Sequence, residues 1–265
     1  MSLAVHRVLY HENRRGESIA RQAFLNDLRV ALVDPRFIWV PGISDHLTSL
    51  DESGNEALIT HNSTLISRKS TLGKGLAVTL DGSTAYATTP DAGRYSFNLI
   101  GLTDLPFTIV ALCNVTDTAA ARTILSKFAT SNREWQFLLD ANDLLTLILT
   151  DESAGVAPQR ASDAAVTQAS WRLFGVTYDG SGGATALDGV ALYDNGAALA
   201  STATNNAAYV AMENLTQQVA VGMRAAAALP YSGSMALVAL AAGARSAAEM
   251  ADIANLVKDY FGVGA

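Results

Sequence analysis

Between Glu17 and Val33, apolar residues recur at steps of three and four: Ala20, Phe24, Leu28, Ala31 and Leu32, with Arg21, Asp27 and Arg29 on the opposite side. This spacing predicts an amphipathic helix of about four turns. Asp34-Pro35 ends it, because the residue before a proline is pushed out of the α region. From Arg36 onward the pattern changes to short apolar runs separated by Gly, Asp, Asn and Ser. Strands are predicted at Phe37–Val40, Ala57–Thr60, Gly75–Leu80, Ala85–Thr89, Phe107–Asn114, Ala121–Phe128, Glu134–Asp140, Leu144–Thr150, Trp171–Tyr178, Gly189–Asp194, Gln218–Gly222 and Ser234–Ala241. Turn pairs that tolerate positive φ lie between them: Asp81-Gly82, Asp179-Gly180, Asp188-Gly189 and Asn195-Gly196. Helix returns only at the end, where Ser246 and Glu249 form a capping-box pattern ahead of Met250, Ile253, Ala254 and Val257. The alanine-rich stretches 197–203 and 225–228 favour helix by propensity, but neighbouring glycines and alternation in Met235–Leu240 point to loops and strands.

Many short strands with frequent turns read as a sandwich or barrel. The 265 residues are enough for one large β unit with a real core, and a 49 % apolar, 16 % charged composition excludes disorder. No stretch approaches the roughly 20 apolar residues of a spanning helix, so no membrane partner is expected. The net charge of −7 argues against nucleic acid as a partner. Its distribution is uneven: residues 1–36 carry +2 and the remainder −9. The chain therefore divides into an arm, 1–36, whose helix either caps an edge of the body or docks on a partner subunit, and a body, 37–265, that includes the terminal helix 246–260. Met1 to Asn13 lacks the apolar core of a secretory signal, leaving two settings: the cytoplasm, or a virus particle released by lysis.

Seven passages in order resemble the laminin-G-like branch of the concanavalin A-like jelly rolls. They are Leu50-Asp51-Glu52-Ser53-Gly54-Asn55; Gly73-Lys74-Gly75-Leu76 running on to Leu80-Asp81-Gly82-Ser83-Thr84-Ala85-Tyr86; Pro106-Phe107-Thr108-Ile109; Trp135 to Asp140; Trp171 to Gly180; Leu192-Tyr193-Asp194-Asn195-Gly196-Ala197; and Ser246-Ala247-Ala248-Glu249-Met250. The resemblance covers about residues 40–260. It implies an all-β concanavalin A-like jelly-roll sandwich, here with an N-terminal helical arm and a short C-terminal helix.

Chemistry is sparse. A retaining glycosidase needs two carboxyl groups about 5–5.5 Å apart. No strand offers such a run, and Asp51, Glu52, Glu56, Asp151 and Glu152 sit among turn residues. The histidines His6, His11, His46 and His61 lie in the first quarter, and no Gly-x-Ser-x-Gly elbow occurs. Cys113, the one cysteine, falls in an apolar strand and reads as an inert buried thiol. No enzyme and no cofactor are expected. Calcium, which several relatives implied by the resemblance bind, could use Asp140-Ala141-Asn142-Asp143 or Asp188 with Asp194-Asn195, although such residues also bond their own backbone in turns. A glycan platform would need exposed aromatics; Tyr95, Tyr209 and Tyr231 are the candidates, since the resemblance implies core positions for Trp135 and Trp171. The resemblance extends to modules of phage capsid, tail and fibre proteins. The expected function is thus a non-enzymatic virion structural protein that docks on capsid or tail proteins through its arm, as a homo-oligomer. Arg14, Arg15, Arg21, Phe24, Leu28 and Trp39 are the expected docking residues. The alternative is a lectin module for host-surface glycans.

Overall fold

The computed structural model describes residues 19–41, 60–61, 69–99, 103–116, 119–224 and 228–263. Two antiparallel sheets stack on a common core. The first runs β15 (Ala197–Ala198), β14 (Val190–Asp194), β13 (Trp171–Tyr178), β8 (Phe107–Val115), β18 (Ser232–Ala242), β4 (Gly75–Asp81) and β3 (Lys69–Leu72). The eleven-residue β18 pairs along one edge with β8; its other edge is shared by β4 and by β1 (Asp34–Trp39). The second sheet runs β16 (Ser201–Thr204), β12 (Gln159–Ser162), β11 (Leu145–Leu149), β10 (Asn132–Leu139), β9 (Arg122–Ala129), β17 (Val219–Val221), β5 (Ala87–Thr89) and β2 (Thr60–His61). A small ribbon pairs β6 (Asn98–Leu99) with β7 (Thr103–Asp104).

The strands form where the apolar runs place them. In β10, Trp135, Phe137 and Leu139 point inward, facing Phe107, Ile109 and Val176 of the first sheet across one buried core. Strands of the first sheet such as β8 and β18 are apolar on both faces and need a second cover on the outside of that sheet. Two helices supply it: α1, described over 19–32, and α2 (Ala247–Phe261). Phe24, Leu25, Leu28 and Leu32 of α1 join Met250, Ile253, Val257, Tyr260 and Phe261 of α2 over Val110, Leu112, Leu173 and Leu237. Phe24 stacks on Tyr260 at 4.2 Å and meets Phe261 edge-on at 5.5 Å. The capping box of α2 forms as its sequence requires: the Ser246 hydroxyl accepts from the Glu249 N–H, and Glu249 accepts from the Ser246 N–H at 2.7 Å. Gly175, in the middle of β13, lets α2 sit close, because a Cβ there would lie 2.4 Å from Met250 Cε.

Of the two readings of the arm helix, the structure shows the one in which it packs on the chain's own body, and the one in which it docks on a partner is corrected. α1 lies on the chain's own sheet, and Arg21 Nη2 donates to the Val40 carbonyl at 3.2 Å. The physical reason is the short link: α1 passes into β1 after a single residue, and β1 is pinned to β18. The boundary expected at residue 36 falls inside β1. Of the four turn pairs, Asn195-Gly196, with φ of 51° and 79°, closes a two-residue hairpin between β14 and β15. Gly189 instead ends a 3-10 stretch over Gly183–Gly189, and Asp81-Gly82 leads from the first sheet towards the second. The expected strand at Ala57–Thr60 lies outside the described residues except for Thr60, as does the Leu50–Asn55 passage.

Candidate functional site

With helices sealing the outside of the first sheet, the second sheet's outer face is the one to read for binding. Leu145, Leu147 and Leu149 point into the core, so Thr146 and Ile148 point out. Register then places Gln136 beside Ile148 and Ser126, Gln159 beside Ile148 and Thr204, and Ala161 beside Thr146 and Thr202. The resulting surface is small and polar. Towards β9 it is buried: the Gln136 amide donates to Thr123 Oγ1 at 2.8 Å and the Ser126 hydroxyl to the Met223 carbonyl at 3.1 Å. Towards the edge it opens, with Ile148 and Ala161 half-buried and Gln159, Thr202 and Thr204 exposed.

A cavity of about 260 Å³ adjoins this open edge, lined by Ser162 to Thr167 on one side and by Asp194, Leu199 and Ala200 on the other. Its walls are mostly aliphatic. Asp163 supplies the polar handle: its N–H donates to the Ala200 carbonyl at 2.9 Å, and its Oδ1 accepts from the Thr202 hydroxyl at 2.7 Å. Asp194 is held across the cavity by the Arg172 guanidinium, whose Nε donates at 2.9 Å and whose Nη2 completes the fork. One exposed carboxylate beside an aliphatic wall can accept from a hydroxyl-bearing ring while its C–H face packs on Val166 and Leu199. At this size, just below the roughly 300–1,000 Å³ of drug-sized pockets, it takes one small ring.

The buried acids are bound internally. Asp104 accepts from the Tyr178 hydroxyl (2.6 Å), the Tyr209 hydroxyl (2.7 Å) and the Met212 N–H (2.7 Å), and burial raises its pKa. Asp151 accepts from the Ala154 and Val210 N–H groups. Glu134 accepts from Lys127 Nζ at 2.6 Å and the Leu215 N–H at 2.8 Å; burial pushes its carboxyl up to about 7 against the pull of Lys127. Each of these carboxylates is spent on fastening loops, which leaves none of them accessible for acid–base chemistry on a glycosidic bond. Cys113 is buried, and burial pushes its thiol up to about 12.

Several expectations are corrected. Tyr95, Tyr209 and Tyr231 are buried, not exposed. Their loops fold inward because their polar groups find partners there: Tyr209 bonds Asp104, and the Tyr95 carbonyl accepts from the Trp135 indole at 3.0 Å. Of the expected docking residues, Phe24 and Leu28 are buried on the outside of the first sheet and Trp39 in the core on its inside, so they share no surface. Arg21 is tied to Val40, and Arg14 and Arg15 lie outside the described residues. The calcium loops are also committed. Asp140 Oδ1 accepts from the Asn142 and Leu144 N–H groups, Asp143 pairs with Arg122 and Gln168, Asp188 accepts from Asn205, and Asp194 pairs with Arg172. Among the described residues no three His, Cys, Asp or Glu side chains converge to hold a metal. Sequence reasoning passed over Gln159, Asp163, Thr202 and Thr204. The polar run Gln159–Ser162 and the alternate threonines of Ser201–Thr204 were the available signals.

Among solved structures, the binding domain of Paraclostridial Mosquitocidal Protein 1 superposes with a TM-score of 0.59 at 13 % identity, over 85 % of this chain and 52 % of that one. The botulinum neurotoxin serotype D ligand binding domain, in complex with N-acetylneuraminic acid, gives 0.59 at 13 %, over 88 % and 56 %. Domain 4 of AbnA, a GH43 extracellular arabinanase from Geobacillus stearothermophilus, in complex with arabinotriose, gives 0.54 at 14 %, over 83 % and 98 %. The chain spans about half the length of the two toxin domains, and at these identities the likeness is one of fold. No curated protein matches the sequence. A laminin G-type family model matches residues 81–251, from the β4 turn into α2 and over well beyond half of the chain, so the protein belongs to the concanavalin A-like lectin/glucanases superfamily.

Proposed function

We propose that this lectin-like domain is a non-enzymatic recognition module that takes a glycan at the open edge of the second sheet, with one sugar ring in the cavity beside Asp163. The observation that carries the reading is the pairing of an exposed carboxylate with an aliphatic cavity at the end of β12, next to the exposed side chains of Gln159, Thr202 and Thr204. The internal use of Asp104, Asp151 and Glu134 favours binding over hydrolysis. Two structural neighbours were solved with sugars, N-acetylneuraminic acid and arabinotriose, which suggests the class of probe. The test is a glycan array containing sialylated and arabinose-containing oligosaccharides, followed by calorimetry on any hit. Asp163→Ala and Ala165→Trp, the second filling the cavity, are each expected to weaken binding at least tenfold. A blank array, or a hit indifferent to both variants, overturns the reading.

The setting we infer is a virus particle, in which the chain is a structural protein that displays the jelly roll outward. The charge asymmetry supports it: the acidic body stays soluble while Arg7, Arg14 and Arg15 precede α1 as a positive leading segment. Because α1 is fastened to the body, the attachment segment shortens to the residues ahead of it. Copurification with intact particles at fixed stoichiometry is the expected result; its absence from particles made by the host cell overturns it.

A further inference from the structure

The wall of the cavity beside Asp163 is uneven in what it offers a ligand. Ala164, Ala165, Val166, Leu199 and Ala200 make it aliphatic over most of its extent. Val166 belongs to the main core and Leu199 packs against that core, so this part of the wall is anchored. The polar side chains differ in what they have left to give. The Ser162 hydroxyl is spent, donating to the Ala164 carbonyl at 2.8 Å and accepting from the Leu145 N–H at 3.0 Å. Asp194 is neutralised by the Arg172 guanidinium. Behind the wall, Asp143 takes the Val166 N–H on its carbonyl and pairs its carboxylate with Arg122 and Gln168. Asp163 differs from these: its Oδ1 accepts from the Thr202 hydroxyl at 2.7 Å, and among the described residues its Oδ2 has no partner. None of the residues lining the cavity is basic, so one uncompensated negative charge stands at its mouth.

We infer that the cavity is selective within the glycan class: it takes an uncharged sugar ring that carries a methyl group beside a hydrogen-bond donor, and it rejects acidic sugars. This inference rests on the reading of the cavity as the glycan site. Two kinds of sugar supply that methyl, the acetamido group of an N-acetylhexosamine and the terminal carbon of a 6-deoxyhexose. In either, the methyl packs on Val166 and Leu199 while the amide N–H or a neighbouring hydroxyl donates to Asp163. A hydroxyl pressed on the aliphatic wall instead loses its water and gains no partner. A methyl buried there is worth about fourfold in affinity. A sugar carboxylate fares worse. The ionised Asp163 can only accept, and the two anions meet within the roughly 8 Å over which physiological salt screens charge.

Saturation-transfer NMR and titrations on the full chain test this with five free sugars. N-acetylglucosamine and fucose are the two methyl-bearing arms, and they tell the two sources apart. Glucose and arabinose lack the methyl, while N-acetylneuraminic acid carries an acetamido methyl and a carboxylate together. One of the first two should bind about fourfold or more tighter than glucose and arabinose, with the strongest saturation on its methyl protons. N-acetylneuraminic acid should bind several-fold more weakly than N-acetylglucosamine. Asp163→Asn should close that gap, and raising salt on the wild type should narrow it without any substitution. Equal affinity with and without the methyl, a preference for N-acetylneuraminic acid, or a gap indifferent to both Asp163→Asn and salt overturns the selectivity; where binding is still lost in Ala165→Trp, the glycan site itself stands. Binding that Ala165→Trp leaves untouched, or no binding of any of the five, removes the site and the selectivity with it.

Discussion

Replacing Phe24 by Ala separates a helix that belongs to the fold from an arm that merely visits it. The side chain is 3 % exposed, stacks on Tyr260 with ring planes 11° apart, and meets Phe261 edge-on. Truncating a buried Phe to Ala costs about 3–5 kcal/mol from lost transfer energy and the cavity left behind. Its two aromatic contacts lie in the range where each adds about 0.5–1.5 kcal/mol beyond area. The site is at the periphery of the outer core and can partly collapse, so the expected loss is about 3 kcal/mol. Against a total stability of about 5–15 kcal/mol, that is a large share.

The assay is equilibrium urea unfolding of Phe24→Ala beside Gln22→Ala, two residues away on the exposed side of the same helix. Phe24→Ala should lower the midpoint with an unchanged slope, while Gln22→Ala should move stability by less than about 0.5 kcal/mol. A double-mutant cycle with Tyr260→Ala should return a coupling of about 1 kcal/mol. If Phe24→Ala costs no more than Gln22→Ala, α1 is not part of the cooperative unit and the intramolecular reading of the helix fails. The same logic forbids a clean truncation. Removing residues 1–36 deletes half of β1 and uncovers Leu112, Leu173 and Leu237, so the remainder should aggregate instead of forming a soluble body.

The other predictions concern the core and the buried acids. Burial raises the Glu134 carboxyl to about 7 from an ordinary 4.5, so its folded-state pKa lies above its unfolded one. Its contribution is fully present below pH 4.5 and is lost as pH rises through 7. Wild-type stability should fall by on the order of 3 kcal/mol across that window, and Glu134→Gln should flatten the slope in urea unfolding at stepped pH. Asp104, also raised, acts in the same direction. Gly175→Ala should cost about 1 kcal/mol or less in urea unfolding, because the atom its Cβ would meet, Met250 Cε at 2.4 Å, is the free end of a flexible side chain that can turn aside. Cys113 should resist thiol reagents in the native state and react on unfolding, since burial holds its pKa at about 12.

The long apolar strands were the legible part of the fold. Trp171–Tyr178 lies where its pattern places it, and β8, β10 and β18 differ from expectation by only a few residues at their ends. The strands of the first sheet, β8, β13 and β18, sit at its centre, where burial on both faces leaves a nearly continuous hydrophobic signature, and β10 shows instead the alternation of Trp135, Phe137 and Leu139. β12 and β16, the last two strands at that end of the second sheet, escaped because they are short and polar, with outward side chains that carry no apolar alternation. They also form the candidate site, so the same polarity that equips the edge for binding hid it from the pattern. The tyrosines were misread for a related reason. Tyr209 stands in a run of Asn and Ala that reads as surface, but its hydroxyl is paid for by Asp104, 105 residues away, and no local pattern carries that contact.

The amphipathic helix shows most plainly where a sequence stops informing. Periodicity revealed that Phe24, Leu28 and Leu32 must be covered, yet it is silent on whether the cover is the chain itself or another molecule. Topology decides between them. β18 has eleven residues, and β4 pairs with its first third only, which leaves the remaining edge open to a strand that must arrive from α1. Once β1 takes that edge, the helix one residue before it has nowhere to lie except over Val110, Leu112 and Leu237. With the inward stripe of α1 covering the first sheet, the binding proposed above falls to the polar side of the opposite sheet around Asp163, which the folding of α1 leaves free.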